Sequence, residues 1–213
     1  TAYKKAIKES SRAFECKVTI LDKVYKNEDI VDIIIDGNIQ PSDGFMIGAT
    51  TSQSLDLTLL NKGDMVYGTS TIKVEIGLKI GSTIEYILMG IYNIDDIEKT
   101  DYTIKITAYD NMMKFERNFT TNLGDTLSLQ QVASELTRIT GVQFTGTLPA
   151  YTVKKLEGFS CREVLSYVAS ICGGNAIITR DGKFTIVTPK DNSYSIGTSN
   201  YFDYKREETK YKI

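Results

Sequence analysis

The sequence predicts a β-rich α+β protein: an N-terminal antiparallel β-barrel or sandwich, followed by a small α+β domain with two helices. Up to about residue 117, apolar and polar residues alternate in segment after segment, which is typical of half-buried strands joined by short turns. Beyond it the apolar spacing becomes helical. We therefore expect domains at 1–117 and 118–192, and the start of a further β domain at 193–213.

The predicted strands of the first domain are recognised by their inward-facing positions. A strand exposes successive side chains on opposite faces, so every second residue belongs to the core. A further apolar run, residues 30–35, ends at an Asp-Gly-Asn turn signal. The alternating inward positions are Phe14, Cys16, Val18 and Ile20; Leu55, Leu57 and Leu59; Ile72, Val74, Ile76, Leu78 and Ile80; and Tyr102, Ile104, Ile106 and Ala108.

One predicted strand, EYILMGIYNI at residues 85–94, is apolar on both faces. Regular alternation puts Tyr86, Leu88, Tyr92 and Ile94 on one face, and Ile87, Met89 and Ile91 on the other. A strand of this kind is covered on both sides. The cover is either a loop or domain of the same chain, or another subunit. Ile87, Met89 and Ile91 are therefore candidate inter-subunit contacts.

Two helices of the second domain are predicted from their capping signals. Ser128 with Gln131, and Ser160 with Glu163, have the spacing of a capping box. Gly141 and Gly173 follow the last apolar positions and can take the left-handed conformation that ends a helix. After the second helix, the Asp-Gly pair in RDGK predicts a β-hairpin with a two-residue type I′ turn.

Cysteine spacing argues against a disulfide and against a metal site. Cys161 and Cys172 belong to one predicted helix, about 16 Å apart along its axis, which is too far for a disulfide. The chain contains no histidine, the usual companion of cysteine in zinc sites. We expect all three cysteines to be small apolar residues of the interior, and we expect no cofactor and no metal.

Composition disfavours several functional classes. Twenty-five basic and twenty-seven acidic residues leave a net charge of −2, which argues against nucleic-acid binding and against anchoring to an anionic membrane. Without histidine, a serine or cysteine nucleophile lacks its usual base. Asp95, Asp96 and Asp101 lack the spacing of a calcium loop. We expect no enzymatic activity and no catalytic residues, although a carboxylate pair acting on a glycoside stays open.

The order of motifs resembles the tail hub proteins (tail-associated or baseplate hub proteins) of tailed bacteriophages and phage-like particles of Gram-positive bacteria. In the first domain the resemblance lies in residues 11–20 (SRAFECKVTI), in residues 44–61, and in residues 88–119. In the second it lies in residues 158–187, a capped helix followed by a double glycine and a hairpin. The chain resembles the N-terminal portion of such a hub.

The resemblance implies a structural role in the virion. A hub of this family is a trimer whose barrels form a ring that joins the tail tube to the tip and surrounds a channel for DNA. Its partners would be the distal tail or tube protein and other tip proteins. DNA would pass without specific binding, and no membrane anchor is expected. The alternatives are a carbohydrate- or receptor-binding β module of a tail tip, or part of a tail-associated cell-wall hydrolase.

Overall fold

The structure is a computed structural model that describes residues 2–39, 46–63, 68, 70–189, 197 and 205. Its first half contains a short helix and seven strands: α1 (Ala2–Ala6), β1 (Phe14–Ile20), β2 (Lys23–Tyr25), β3 (Ile30–Asp36), β4 (Ser54–Leu60), β5 (Thr71–Ile80), β6 (Thr83–Lys99) and β7 (Thr103–Tyr109). A 3₁₀ helix (Asn111–Glu116) leads into the second half, which contains β8 (Thr126–Ser128), α2 (Leu129–Thr140), β9 (Thr152–Lys154), α3 (Cys161–Ile171), β10 (Asn175–Ile178) and β11 (Phe184–Val187). The β domain predicted to start at residue 193 lies almost wholly outside the described residues.

The seven strands form one antiparallel sheet in the order β2-β1-β5-β6-β7-β4-β3. One face of this sheet surrounds a single core, to which β1, β2, β4, β5, β6 and β7 all contribute buried residues. The predicted β-rich α+β class is therefore confirmed. A closed barrel is not detected, because no pairing among the described residues joins the edge strands β2 and β3.

Most of the predicted inward positions are buried in this sheet core. They are Val18, Ile20, Leu55, Leu57, Leu59, Ile72, Val74, Ile104, Ile106 and Ala108. Phe14 and Tyr102, with 48% and 82% of their surface exposed, are wrong predictions. Phe14 is the first residue of β1, and Tyr102 precedes the first residue of β7. The alternating pattern in the sequence thus extends to the strand ends, where these side chains are exposed. Cys16 is only half-buried, although it packs against the core.

Three β-bulges interrupt the alternation of the sheet. The extra residue is Val31 in β3, and Met89 and Asp95 in β6. A bulge bends its strand and increases the local twist. Two bulges in the central, 17-residue strand β6 therefore help the sheet to curve around its own core.

The second half forms its own hydrophobic core between α2, α3, the 3₁₀ helix and the β10–β11 hairpin; we call residues 111–187 the α+β unit. Both predicted capping boxes are present, Ser128 with Gln131 and Ser160 with Glu163. Gly141 and Gly173 end the helices with φ angles of +75° and +68°. The helices predicted from capping signals are confirmed at both ends.

The β10–β11 hairpin is present, but its turn differs from the prediction. Thr179 and Lys183 pair across the loop, with the Thr179 amide donating to the Lys183 carbonyl at 2.7 Å. A type I′ turn needs two central residues with positive φ, and in this loop Gly182 alone has one, at +79°. The Asp-Gly pair therefore belongs to a three-residue loop, in which glycine supplies the single left-handed residue.

Candidate assembly surface

Ile87, Met89 and Ile91 do not share one face of the sheet. Ile87 pairs with Ile76 and Ile91 pairs with Lys73, and paired residues project to the same side. Ile76 and Lys73 are three positions apart on a regular strand, so they lie on opposite faces. The extra residue at Met89 reverses the alternation of β6. The predicted apolar face is wrong, because the sequence pattern assumed an uninterrupted strand.

Two of these three residues are in contact with other parts of the same chain. Met89 packs against the sheet core. Ile91 lies beneath the β10–β11 loop: a Cβ atom placed on Gly182 would be 3.7 Å from its Cδ1 atom. The Asn111 side chain fixes this loop by donating to the Gly182 carbonyl at 2.7 Å. For Ile91 the cover is therefore the chain's own second half, and an inter-subunit contact through Ile87, Met89 and Ile91 stays a prediction.

Part of the outer face of β1, β5 and β6 is polar, with its ion pairs centred on Glu75. Glu75 forms ion pairs with Lys17 at 2.8 Å and with Lys73 at 3.0 Å. Burial acts to raise the pKa of Glu75, but the two lysines outweigh it and hold that pKa below its ordinary value. The Tyr86 hydroxyl donates to Glu15, and the Lys17 ammonium lies 4.0 Å from the centre of the Tyr86 ring. This face suits contact with water or with a polar partner.

At both edges of the sheet, side chains of the same chain form hydrogen bonds with backbone groups. At the β1 edge, Asn27 accepts from the Cys16 amide at 2.8 Å and donates to the Phe14 carbonyl at 3.5 Å. At the β3 edge, the Asp32 carboxylate accepts from the Ile33 amide at 2.9 Å. Such capping reduces uncontrolled strand addition at an exposed edge.

Exposed apolar side chains mark the β3 edge as a candidate contact surface. Val31 and Ile34 have 55% and 52% of their surface exposed. Val31 is the bulged residue and Ile34 pairs with Asp56 on the outer face. The sequence shows the apolar run but not which of its residues face outward, because that depends on the bulge.

The joint between the sheet and the α+β unit is built around a buried carboxylate. Asp110 is 3% exposed and caps the 3₁₀ helix by accepting from the Met112 amide at 2.9 Å. It also accepts from the Ser52 hydroxyl at 2.8 Å and the Gln53 amide at 2.9 Å. Burial raises the pKa of Asp110 in spite of these hydrogen bonds and the nearby charge of Arg162. Sequence reasoning missed this residue, because two of its three partners, Ser52 and Gln53, lie far away in the chain.

A groove of about 390 Å³ opens beside the first turn of α3. Its charged side chains already have partners: Arg162 bonds the Thr50 carbonyl and Glu116, and Glu163 accepts from Ser160. These polar groups therefore contribute hydrogen bonds and an ion pair to the fold. Burial raises the pKa of the Cys161 thiol to about 11, which makes it a poor nucleophile at neutral pH.

In the described part of the chain, the side chains that could ligate a metal ion are dispersed. There, no three His, Cys, Asp or Glu side chains are grouped as a metal site would require. All three cysteines are free thiols. Within the same residues, none of the helices has the length and apolar character needed to cross a membrane.

Comparison with known proteins gives matches in structure only. No protein-family model and no curated protein matches the sequence. The 43 kDa tail protein of prophage MuSo2 from Shewanella oneidensis aligns with a TM-score of 0.54 and 14% identity, over 84% of this chain and 56% of that one. The tail protein from Neisseria meningitidis MC58 aligns with a TM-score of 0.56 and 12% identity, over 82% of this chain and 50% of that one. The chain thus shares its fold with about half the length of two phage-type tail proteins.

Proposed function

We propose that the chain is a structural component of a phage or prophage tail, and that it forms the N-terminal portion of a tail-tip or baseplate hub. In this role it joins the tail tube to the tip and surrounds the channel through which DNA passes. The intact protein is a homotrimer in the virion and contacts the distal tail or tube protein. DNA passes without specific binding, in keeping with a net charge of −2.

The observation that carries the proposal is the shared fold with two tail proteins over more than four-fifths of this chain. The alignment runs across both the sheet and the α+β unit, so it reflects their combination and not a common single motif. The order of motifs in the sequence supports the finer assignment to a hub. The candidate contacts for assembly are the exposed Val31 and Ile34 at the β3 edge, because Met89 packs against the sheet core and Ile91 lies beneath the β10–β11 loop.

We also propose that this part of the protein has no enzymatic activity. The carboxylates described above act as helix caps, ion-pair partners and joint residues. A turbidity assay with purified peptidoglycan tests this directly. No clearing is expected, whereas clearing by the purified chain would favour the cell-wall hydrolase alternative.

Light scattering tests the proposed assembly. The intact protein, produced from the complete reading frame, should have the mass of a trimer. The resemblance to hub proteins implies that a ring of three chains matches the six-fold symmetry of the tail tube, which takes two barrel-like domains per chain. The described residues contain one such sheet, so the 213-residue chain should be mainly monomeric in dilute solution. A monomeric intact protein would contradict the hub assignment.

A further inference from the structure

An unusually long connection joins two neighbouring strands of the sheet. β3 and β4 are antiparallel partners, and such pairs are commonly joined by about two to five residues. Here the connection comprises residues 37–53. Its described part beyond residue 45 leaves the sheet and lies along α3 and β10 of the α+β unit. We call residues 46–53 the strap.

The strap pairs with β10 through a single parallel bridge, Thr50 with Ala176. The Gly48 amide donates to the Gly174 carbonyl, and the Ala176 amide donates to the Ala49 carbonyl, both at 2.8 Å. The Asn175 side chain, buried within the α+β unit, accepts from the Ala49 amide at 2.9 Å. On the far side of the hairpin, Phe184 is paired with residue 144. The strap therefore completes a sheet whose β10 edge would otherwise be open.

Helix α3 holds the strap from the other side. The Ser166 hydroxyl donates to the Gly48 carbonyl at 2.7 Å. The Arg162 guanidinium donates twice to the Thr50 carbonyl, at 3.1 Å and 2.9 Å. Gly48 has a φ angle of +89°, and a Cβ atom there would be 2.0 Å from the Ser170 hydroxyl oxygen. The left-handed φ, together with this closeness, favours glycine at the point where the strap crosses α3.

Asp110 anchors the final part of the strap through Ser52 and Gln53, where the chain enters β4. The strap is thus bonded to β10, to α3 and to the joint, in that order along the chain. Each contact joins residues far apart in sequence, and together they connect the two hydrophobic cores.

We propose that the strap is an internal strand that completes the α+β unit and locks it to the sheet, so that the two cores unfold as one cooperative unit. Strain placed in the strap should therefore weaken both cores together. The proposal rests on the strap contacts and does not depend on a role in phage tails.

Amide hydrogen exchange of the whole chain, read by mass spectrometry, tests this with two matched glycine variants. Gly48→Ala introduces left-handed strain and a clash in the strap. Gly81→Ala introduces left-handed strain in the β5–β6 turn, at a φ of +62° with open space around the new Cβ atom. The first variant disturbs the strap, and the second weakens the sheet while leaving the strap intact.

For Gly48→Ala, we expect the slowest amides of β10, α3, β1 and β5 to accelerate by one common factor, on the order of tenfold or more. For Gly81→Ala, we expect the slowest amides of both cores to accelerate by one common factor. Adding Ser170→Ala to Gly48→Ala should restore part of the protection, since it removes the nearest clashing atom.

Three results would overturn the proposal. The first is faster exchange confined to the strap itself in Gly48→Ala, with β10 and α3 as protected as in the wild type. The second is an acceleration in that variant confined to β10 and α3, with the slowest amides of β1 and β5 unchanged. The third is a Gly81→Ala effect limited to the sheet, which would show that the two cores already unfold separately.

Discussion

Replacing Asp110 with alanine should destabilise the protein strongly, because its carboxylate is the shared acceptor at the joint between the two halves. The residue is 3% exposed. It accepts from the Ser52 hydroxyl at 2.8 Å, and from the Gln53 and Met112 amides at 2.9 Å each. Alanine would leave these donors without an acceptor in a place that water reaches poorly.

The magnitude follows from the number and type of these bonds. A hydrogen bond to a charged group contributes about 1.5–3 kcal/mol to stability. The three bonds share one carboxylate, and removing it also ends the cost of burying its charge, so their contributions do not add fully. We expect the free energy of unfolding to fall by about 3–5 kcal/mol, and Tm to fall by roughly 10 °C.

Urea denaturation followed by circular dichroism measures this change, with Asp181→Ala as the control. Asp181 is exposed and bonds only within its loop, to Thr179 and Lys183, so its loss should cost less than about 1 kcal/mol. If Asp110→Ala cost no more than this control, the Asp110 carboxylate would not be holding the joint together.

The remaining predictions concern packing, capping and pH. Met89→Lys should lower the free energy of unfolding by about 2 kcal/mol, because Met89 is partly buried and packs against the sheet core; a denaturant midpoint equal to wild type would refute that placement. Ser160→Ala should cost about 1 kcal/mol by removing the α3 cap, and Ser134→Ala, an exposed mid-helix serine, is its thermal-melt control. Burial raises the pKa of Asp110, so its contribution to stability is complete below its unfolded value and declines as pH rises through its folded value. The cost of Asp110→Asn should therefore be larger near pH 4 than near pH 7; the reverse trend in paired denaturation curves would mean that the pKa is lowered.

Local features of the fold could be predicted from the sequence. The capping boxes at Ser128 and Ser160 involve residues three positions apart, so the sequence contains all the information they need. Alternation likewise identifies the buried faces of β4 and β7, where no bulge lies within the buried stretch. The α+β class follows from these two signals.

Long-range features could not be predicted in the same way. The bulge at Met89 is defined by the pairing of β6 with β5, so the pattern of a single strand cannot reveal it. For this reason the prediction that Ile87, Met89 and Ile91 share one face was wrong. Asp110 and Gly48 read as ordinary loop residues, since their partners lie elsewhere in the chain. The candidate assembly surface therefore needed the three-dimensional structure.

Electron cryomicroscopy of the intact particle tests the central claim, a structural role at the tail tip. The account predicts three copies of this fold arranged around the channel at the distal end of the tail tube, with the sheets forming the ring. Particles that lack the protein, or that carry it away from the tube end, would contradict the account.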